Sequence, residues 1–169
     1  LRDRGDRRSV FLSIYVKMTS EVRDGIENDQ FEDPEWMRSY VRSFAEHYRR
    51  AFVHFEQGDV EAVPDPWQVA FGQAIGGDTL VMQDAFLGVN AHINFDLALA
   101  LDDVGIDPNR EAKYRDHCEI NDVLSGLVDR QQEMLARLYA PGVENVDAVF
   151  GPFDEVLTLL SMTEGREQA

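Results

Sequence analysis

From Met37 to Phe55, apolar side chains return at every third or fourth position, with Asp33-Pro34 in front of them and Gly58 behind. That spacing puts Met37, Tyr40, Val41, Phe44, Tyr48, Ala51, Phe52 and Phe55 on one face of a 3.6-residue helix and on no face of a strand. Asp suits the cap position, and Pro suits the first helical position, where no N–H is needed. A helix with one long apolar stripe must lay it against others, so the chain is committed to helix-on-helix packing.

The same reading extends along the sequence. A first helix runs from about Asp6, as N-cap, to about Glu27, and carries Phe11, Ile14, Tyr15, Met18, Val22 and Ile26. A short third helix opens at Asp65-Pro66, carries Trp67, Val69, Ala70 and Phe71, and stops at Gly76-Gly77. The fourth, at about 79–101, has a stripe of Phe86, Val89, Ile93, Leu97 and Ala100, with Leu87, Phe95 and Leu99 well away from it. A helix apolar on several sides is expected to be covered all round. The fifth starts after Asp107-Pro108 and reaches about Tyr139, before Pro141-Gly142. A sixth, around Val146 to Met162, is interrupted at Gly151-Pro152. With no repeat, linker or strand pattern, the expectation is an all-α fold: one domain over 1–169, an irregular bundle of about six helices around a buried central helix at about 79–101.

Charge narrows the setting. Asp and Glu number 32 against 16 Lys and Arg, for a formal net charge of −16 and a pI near 4.5. Such a surface repels itself, and concentrated salt relieves the repulsion. Only Lys17 and Lys113 among the 16 basic residues are lysines. Carboxylates hold hydrated cations, whereas long lysine stems expose methylenes that strong salt penalises. The composition therefore predicts a halophilic, acidic, cytoplasmic protein. Nucleic acid is excluded as a partner because no basic footprint exists; Arg2, Arg4, Arg7 and Arg8 are interleaved with Asp3 and Asp6. No apolar run reaches the roughly 18 residues of a membrane span, and no signal peptide is read. The single cysteine, Cys118, excludes an internal disulfide and a cysteine-based zinc site. Aromatics expected at exposed edges (Trp36, Trp67, Phe150, Phe153) permit a homodimer.

The chemistry-bearing residues sit on the fourth and fifth helices. At about 100° per residue, His92 falls above Asp96, and Asn90 above Asn94, the two pairs lying on opposite flanks of Ile93. A carboxylate beside an imidazole fixes its tautomer and raises its basicity, so His92 and Asp96 are the candidate catalytic pair. On the fifth helix His117 and Asn121 interrupt a core-facing stripe, with Asp116 at its edge. A polar group on such a stripe must find a partner or cost about 1–3 kcal/mol. Contact between His92/Asp96 and Asp116/His117/Asn121 is therefore expected. Two functions are open to that cluster. One is a site for a divalent metal held by His92, Asp96, Asp116 and His117, or for a small ligand contacted by Asn90, Asn94 and Asn121, with hydrolysis as the reaction class. The other is a structural hydrogen-bond network in a non-enzymatic scaffold or interaction protein. His47 and His54 flank the second helix's stripe and either join the cluster or stay at the surface.

The segment Ala85-Phe86-Leu87-Gly88-Val89-Asn90-Ala91-His92-Ile93-Asn94-Phe95-Asp96-Leu97 resembles the hallmark of an uncharacterised all-helical family, a domain of unknown function of actinobacteria and haloarchaea. That family carries a Gly-x-Asn-Ala-His-Ile-Asn-x-Asp-Leu signature. Asp6-Arg7-Arg8, Phe31-x-Asp33-Pro34-x-Trp36, Trp67-x-x-Ala70-Phe71, and Asp116 with Asn121-x-x-Leu124 are similar too. The resemblance marks Asn90, His92, Asn94 and Asp96 as signature positions and favours salt adaptation, and it names no reaction.

Overall fold

A computed structural model describes residues 1–120, so the expected sixth helix, the fifth from Asn121 onward, Phe150 and Phe153 lie outside the described residues. Every regular element among the described residues is helical: α1 (Ser9–Glu27), α2 (Pro34–Glu56), α3 (Asp65–Gly76), α4 (Val81–Ala91) and α5 (Leu97–Val104). A π turn, His92–Asp96, joins α4 to α5. Short 3₁₀ turns occupy Arg2–Arg4 and Val60–Ala62, and residues 110–120 are helical.

The local signals explain most boundaries. The Asp33 carboxylate accepts the Trp36 N–H at 3.0 Å, and Pro34 opens α2. Gly77 closes α3 in the left-handed conformation, φ 74°, which suits a residue with no Cβ. Asp65 proves to be the first helical residue of α3, with Pro64 in the cap position. Asp6 is not the cap of α1. Its carboxylate accepts the Arg8 N–H at 3.0 Å and grips the Arg8 guanidinium, and the helix begins at Ser9.

That start is tied down at long range. The Arg8 guanidinium also bonds Glu56 at 2.5 Å and lies over the rings of Phe52 and Phe55, fastening α1 to the end of α2. Arg7 donates to the carbonyls of Gly77 and Thr79 at 2.7 and 2.5 Å and pairs with the buried Asp84 at 2.6 Å. The α3–α4 turn is thereby held against the N-terminus of α1.

Besides a small group of Val10, Ile14 and Ala85 between α1 and α4, the described core holds two larger groups of side chains. One gathers Val22, Ile26, Trp36, Met37, Tyr40, Ile93, Leu97 and Ala100 between α1, α2 and α5. The other gathers Phe11, Tyr48, Ala51, Trp67, Ala70, Phe71 and Ala91 between α1, α2, α3 and α4. Each large side chain buried this way contributes about 1.5–3 kcal/mol. Gly88 sets how closely α4 approaches α1, since a Cβ there would stand 2.6–2.8 Å from Phe11 side-chain carbons. The helix expected to be buried all round is buried along one face only; Gln83, Asn90, Asn94 and Ala98 are exposed.

Trp36 and Trp67 are not edge aromatics. They are 6% and 0% exposed, and so supply no surface for a homodimer.

Candidate functional site

The π turn carries the site. Within His92–Asp96 the Leu97 N–H reaches back to the His92 carbonyl, a five-residue step that widens the helix by one residue. His92 and Asp96 still face each other, with His92 Nδ1 2.9 Å from Asp96 Oδ2. A carboxylate only accepts, so Nδ1 carries the proton and Nε2 keeps a lone pair. Asp96 in turn is fixed by Trp67, whose indole Nε1–H donates to both carboxylate oxygens at 3.0 Å. All three residues are buried, at 4%, 1% and 0% exposure respectively. The chain Trp67–Asp96–His92 therefore sets the orientation and tautomer of the imidazole from behind.

The front of the ring meets aromatic carbon. Phe44 stacks on it at 3.6 Å with 6° between planes, and Tyr15 meets it edge-on at 4.5 Å. Phe11 packs at 5.6 Å. This apolar surround penalises an imidazolium, and burial pushes the His92 pKa below its usual value, with Asp96 pulling it back only in part. Burial also pushes the Tyr15 phenol up, to about 12. His92 is thus held neutral, and its Nε2 is buried with no hydrogen-bond partner among the described residues.

A cavity of about 60 Å³ lies against this histidine. Its walls include Tyr15, Thr19, Val22, Tyr40, Phe44 and Ile93, from α1, α2 and the π turn. The space holds a few water molecules or a compact ligand body. Among the described residues, His92 brings the one imidazole to a lining that is otherwise hydrocarbon, the Met18 thioether, two phenols and one threonine hydroxyl.

The other expected site residues lie elsewhere. Asp116 is 2% exposed and spends both oxygens on main-chain donors, accepting from Glu32 N–H and Asp33 N–H at 2.7 Å each. It clasps the entry to α2 and makes no hydrogen bond with the His92–Asp96 pair among the described residues. His117 is buried with Nδ1 3.1 Å from the Tyr40 hydroxyl. Asn121 lies outside the described residues. Asn94 donates to Asn90 at 2.8 Å on the exposed flank of the helix, away from the cavity. His47 and His54 pair with Asp103 and Asp59 at 2.9 and 3.1 Å near the surface.

The single expected cluster is therefore divided. α4 and the π turn present His92 and Asp96 to α3 and α1, while residues 110–120 send Asp116 to the start of α2. Among the described residues, no group of three or more His, Cys, Asp or Glu side chains is placed to hold a metal ion. The quartet His92, Asp96, Asp116 and His117 does not fit a divalent metal, because Asp116 is consumed by backbone N–H groups and Asp96 by Trp67. The partner that sequence reasoning missed is Trp67. Its signal was present, because a buried indole N–H requires an acceptor.

Fold and site together define a protein that is helical throughout its described regular elements, with a buried, carboxylate-oriented histidine at a π turn. The chain belongs to a family of unknown function (DUF5995), whose model matches residues 1–169. No curated protein and no solved structure matches the chain. No helix among the described residues is long and apolar enough to cross a membrane.

Proposed function

We propose that this protein is a salt-adapted cytoplasmic binder of a small, largely apolar molecule, which enters the cavity between α1, α2 and the π turn and is anchored on His92 Nε2. One observation carries the reading: Nε2 is a buried acceptor without a partner among the described residues, on a ring whose other nitrogen is committed to Asp96. A buried polar atom left unsatisfied costs about 1–3 kcal/mol, and a ligand hydroxyl or N–H would recover it. The neutral imidazole is also the form that accepts a proton. Hydrolysis is the reaction class it would serve, with His92 as general base and Asp96 as the residue that orients it.

A second reading is supported by how completely Asp96 is satisfied. Trp67 and His92 between them occupy both of its oxygens, as a network that fixes the register of α3 against the π turn would. Phenol and benzene separate the two. Phenol has the apolar body and one O–H donor, and benzene lacks the donor. Ligand binding predicts that phenol raises the melting temperature more than benzene does and moves the His92 Nε2 resonance in ¹⁵N NMR. If neither compound at millimolar concentration changes the melting temperature or the resonance, the binding proposal is wrong and the network reading stands.

A further inference from the structure

Trp36 also lines a second, larger space. The turn at 105–110 leads from α5 into the helical residues 110–120, and between them lies a cavity of about 870 Å³. Such a volume suits a small organic molecule. Trp36, Leu101 and Ile106 give it apolar wall; Lys113 and Arg110 bring positive charge; Asp102, Asp107 and Glu111 also line it.

Lys113 is the unusual member. It is one of two lysines in the chain, yet it is only 7% exposed. Its ammonium donates to the Asp107 carbonyl at 3.3 Å and lies 5.9 Å from the centre of the Trp36 ring. No carboxylate pairs with it among the described residues. Among the described residues, this buried ammonium has one long hydrogen bond, to a neutral oxygen, and no counterion, an arrangement that favours an added anion. Arg110 stands one helical turn earlier, 66% exposed, held among the described residues by a 3.5 Å contact to Asp107. These two cations open onto the same cavity.

We propose that this cavity binds a small monocarboxylic acid, with the carboxylate between Lys113 and Arg110 and the apolar body against Trp36, Leu101 and Ile106. The class follows from charge. Two cations satisfy one anionic group, and the three acidic side chains around the cavity repel a multiply charged anion such as a phosphate ester. The Trp36 ring face is already engaged with Tyr40, stacked at 5.0 Å, so it forms a rigid wall.

The test is calorimetric titration of the intact protein with benzoate, at constant ionic strength and pH, with inorganic phosphate and benzyl alcohol as comparison probes. Benzoate is expected to bind, and to bind Lys113→Met roughly tenfold or more weakly, the effect of losing one charge-assisted hydrogen bond. Benzyl alcohol, with the same ring and no charge, is expected to bind far more weakly. Equal binding of phosphate, equal binding of benzyl alcohol, or benzoate affinity unchanged in Lys113→Met would each overturn the proposal. If Lys113→Met does not fold, the exposed Arg110→Met supplies the comparison, and unchanged benzoate affinity there overturns it as well.

Discussion

Trp67 and Asp96 are 29 positions apart and meet through an indole N–H shared between both carboxylate oxygens at 3.0 Å. This contact locks α3 to the π turn, and removing it tests how far the histidine depends on support from behind. Trp67→Phe keeps an aromatic ring but deletes the donor and part of the indole's bulk, leaving a fully buried carboxylate with His92 alone and a small cavity beside it. The expected cost is about 2–4 kcal/mol in urea unfolding, lost hydrogen bond and cavity together. The ¹⁵N signals of His92 should broaden or shift in the folded variant, and unchanged signals would show that Asp96 holds its place without the indole.

Close packing of α4 on α1 gives a second prediction. In Gly88→Ala the new methyl would meet Phe11 carbons at 2.6–2.8 Å. Overpacking of this kind costs about 1–3 kcal/mol. Phe11→Leu in the same chain should recover part of the loss. Additive losses in the double variant would mean that the two positions do not collide.

The buried histidine sets a pH dependence. Its pKa is lower in the folded chain than the ordinary value near 6.5, so the unfolded chain binds its proton more readily. The stability that neutral His92 contributes is complete above about pH 6.5 and is lost progressively as pH falls from there toward the folded pKa. NMR titration should find the His92 ring still neutral at a pH where exposed imidazoles are protonated. A His92 titration midpoint at or above 6.5 would contradict the burial described here.

Asp116 makes a prediction about a helix it does not belong to. Its two oxygens satisfy the N–H groups of Glu32 and Asp33, just ahead of α2. Asp116→Ala strands both donors, and a loss of about 2–4 kcal/mol is expected if each costs the lower part of the usual penalty. Hydrogen exchange should accelerate first at 32–36. Uniform acceleration along α2 would instead place the effect in the core.

Net charge gives the last prediction. A chain with a formal charge of −16 should gain thermal stability as KCl is raised from tens of millimolar to molar, because screening removes self-repulsion. A melting temperature flat across that range would remove the case for salt adaptation.

How much of this was legible in the sequence depended on the range of each interaction. Asp33-Pro34 and Gly77 announce their helix ends because caps are settled within three or four residues. The facing of His92 over Asp96, and of Asn90 over Asn94, followed from helical pitch alone, and both pairs are hydrogen-bonded. Pitch says which side chains share a face and nothing about which helix that face meets. The partner of Asp96 is Trp67 on α3, while among the described residues Asp116 hydrogen-bonds the start of α2 and His117 meets Tyr40. Asp116 was harder still, because its partners are main-chain N–H groups, which carry no side-chain pattern. The one-sided burial of α4 was missed for a related reason: Leu99 and Phe95 lie off the stripe, yet Leu99 is 38% exposed and buys no cover for that flank.

The π turn has a consequence for the history of the chain. An ordinary helix through His92–Asp96 would need one residue fewer, and excising that residue would turn α5 by about 100° relative to α4. Leu97 and Ala100, both fully buried on the side facing α2, would swing toward solvent together, while the α4 contacts to α1 and α3 stayed where they are. The extra residue therefore acts as a ratchet. Point substitutions can drift around it, but a deletion must find a new partner surface for the whole of α5 in a single step.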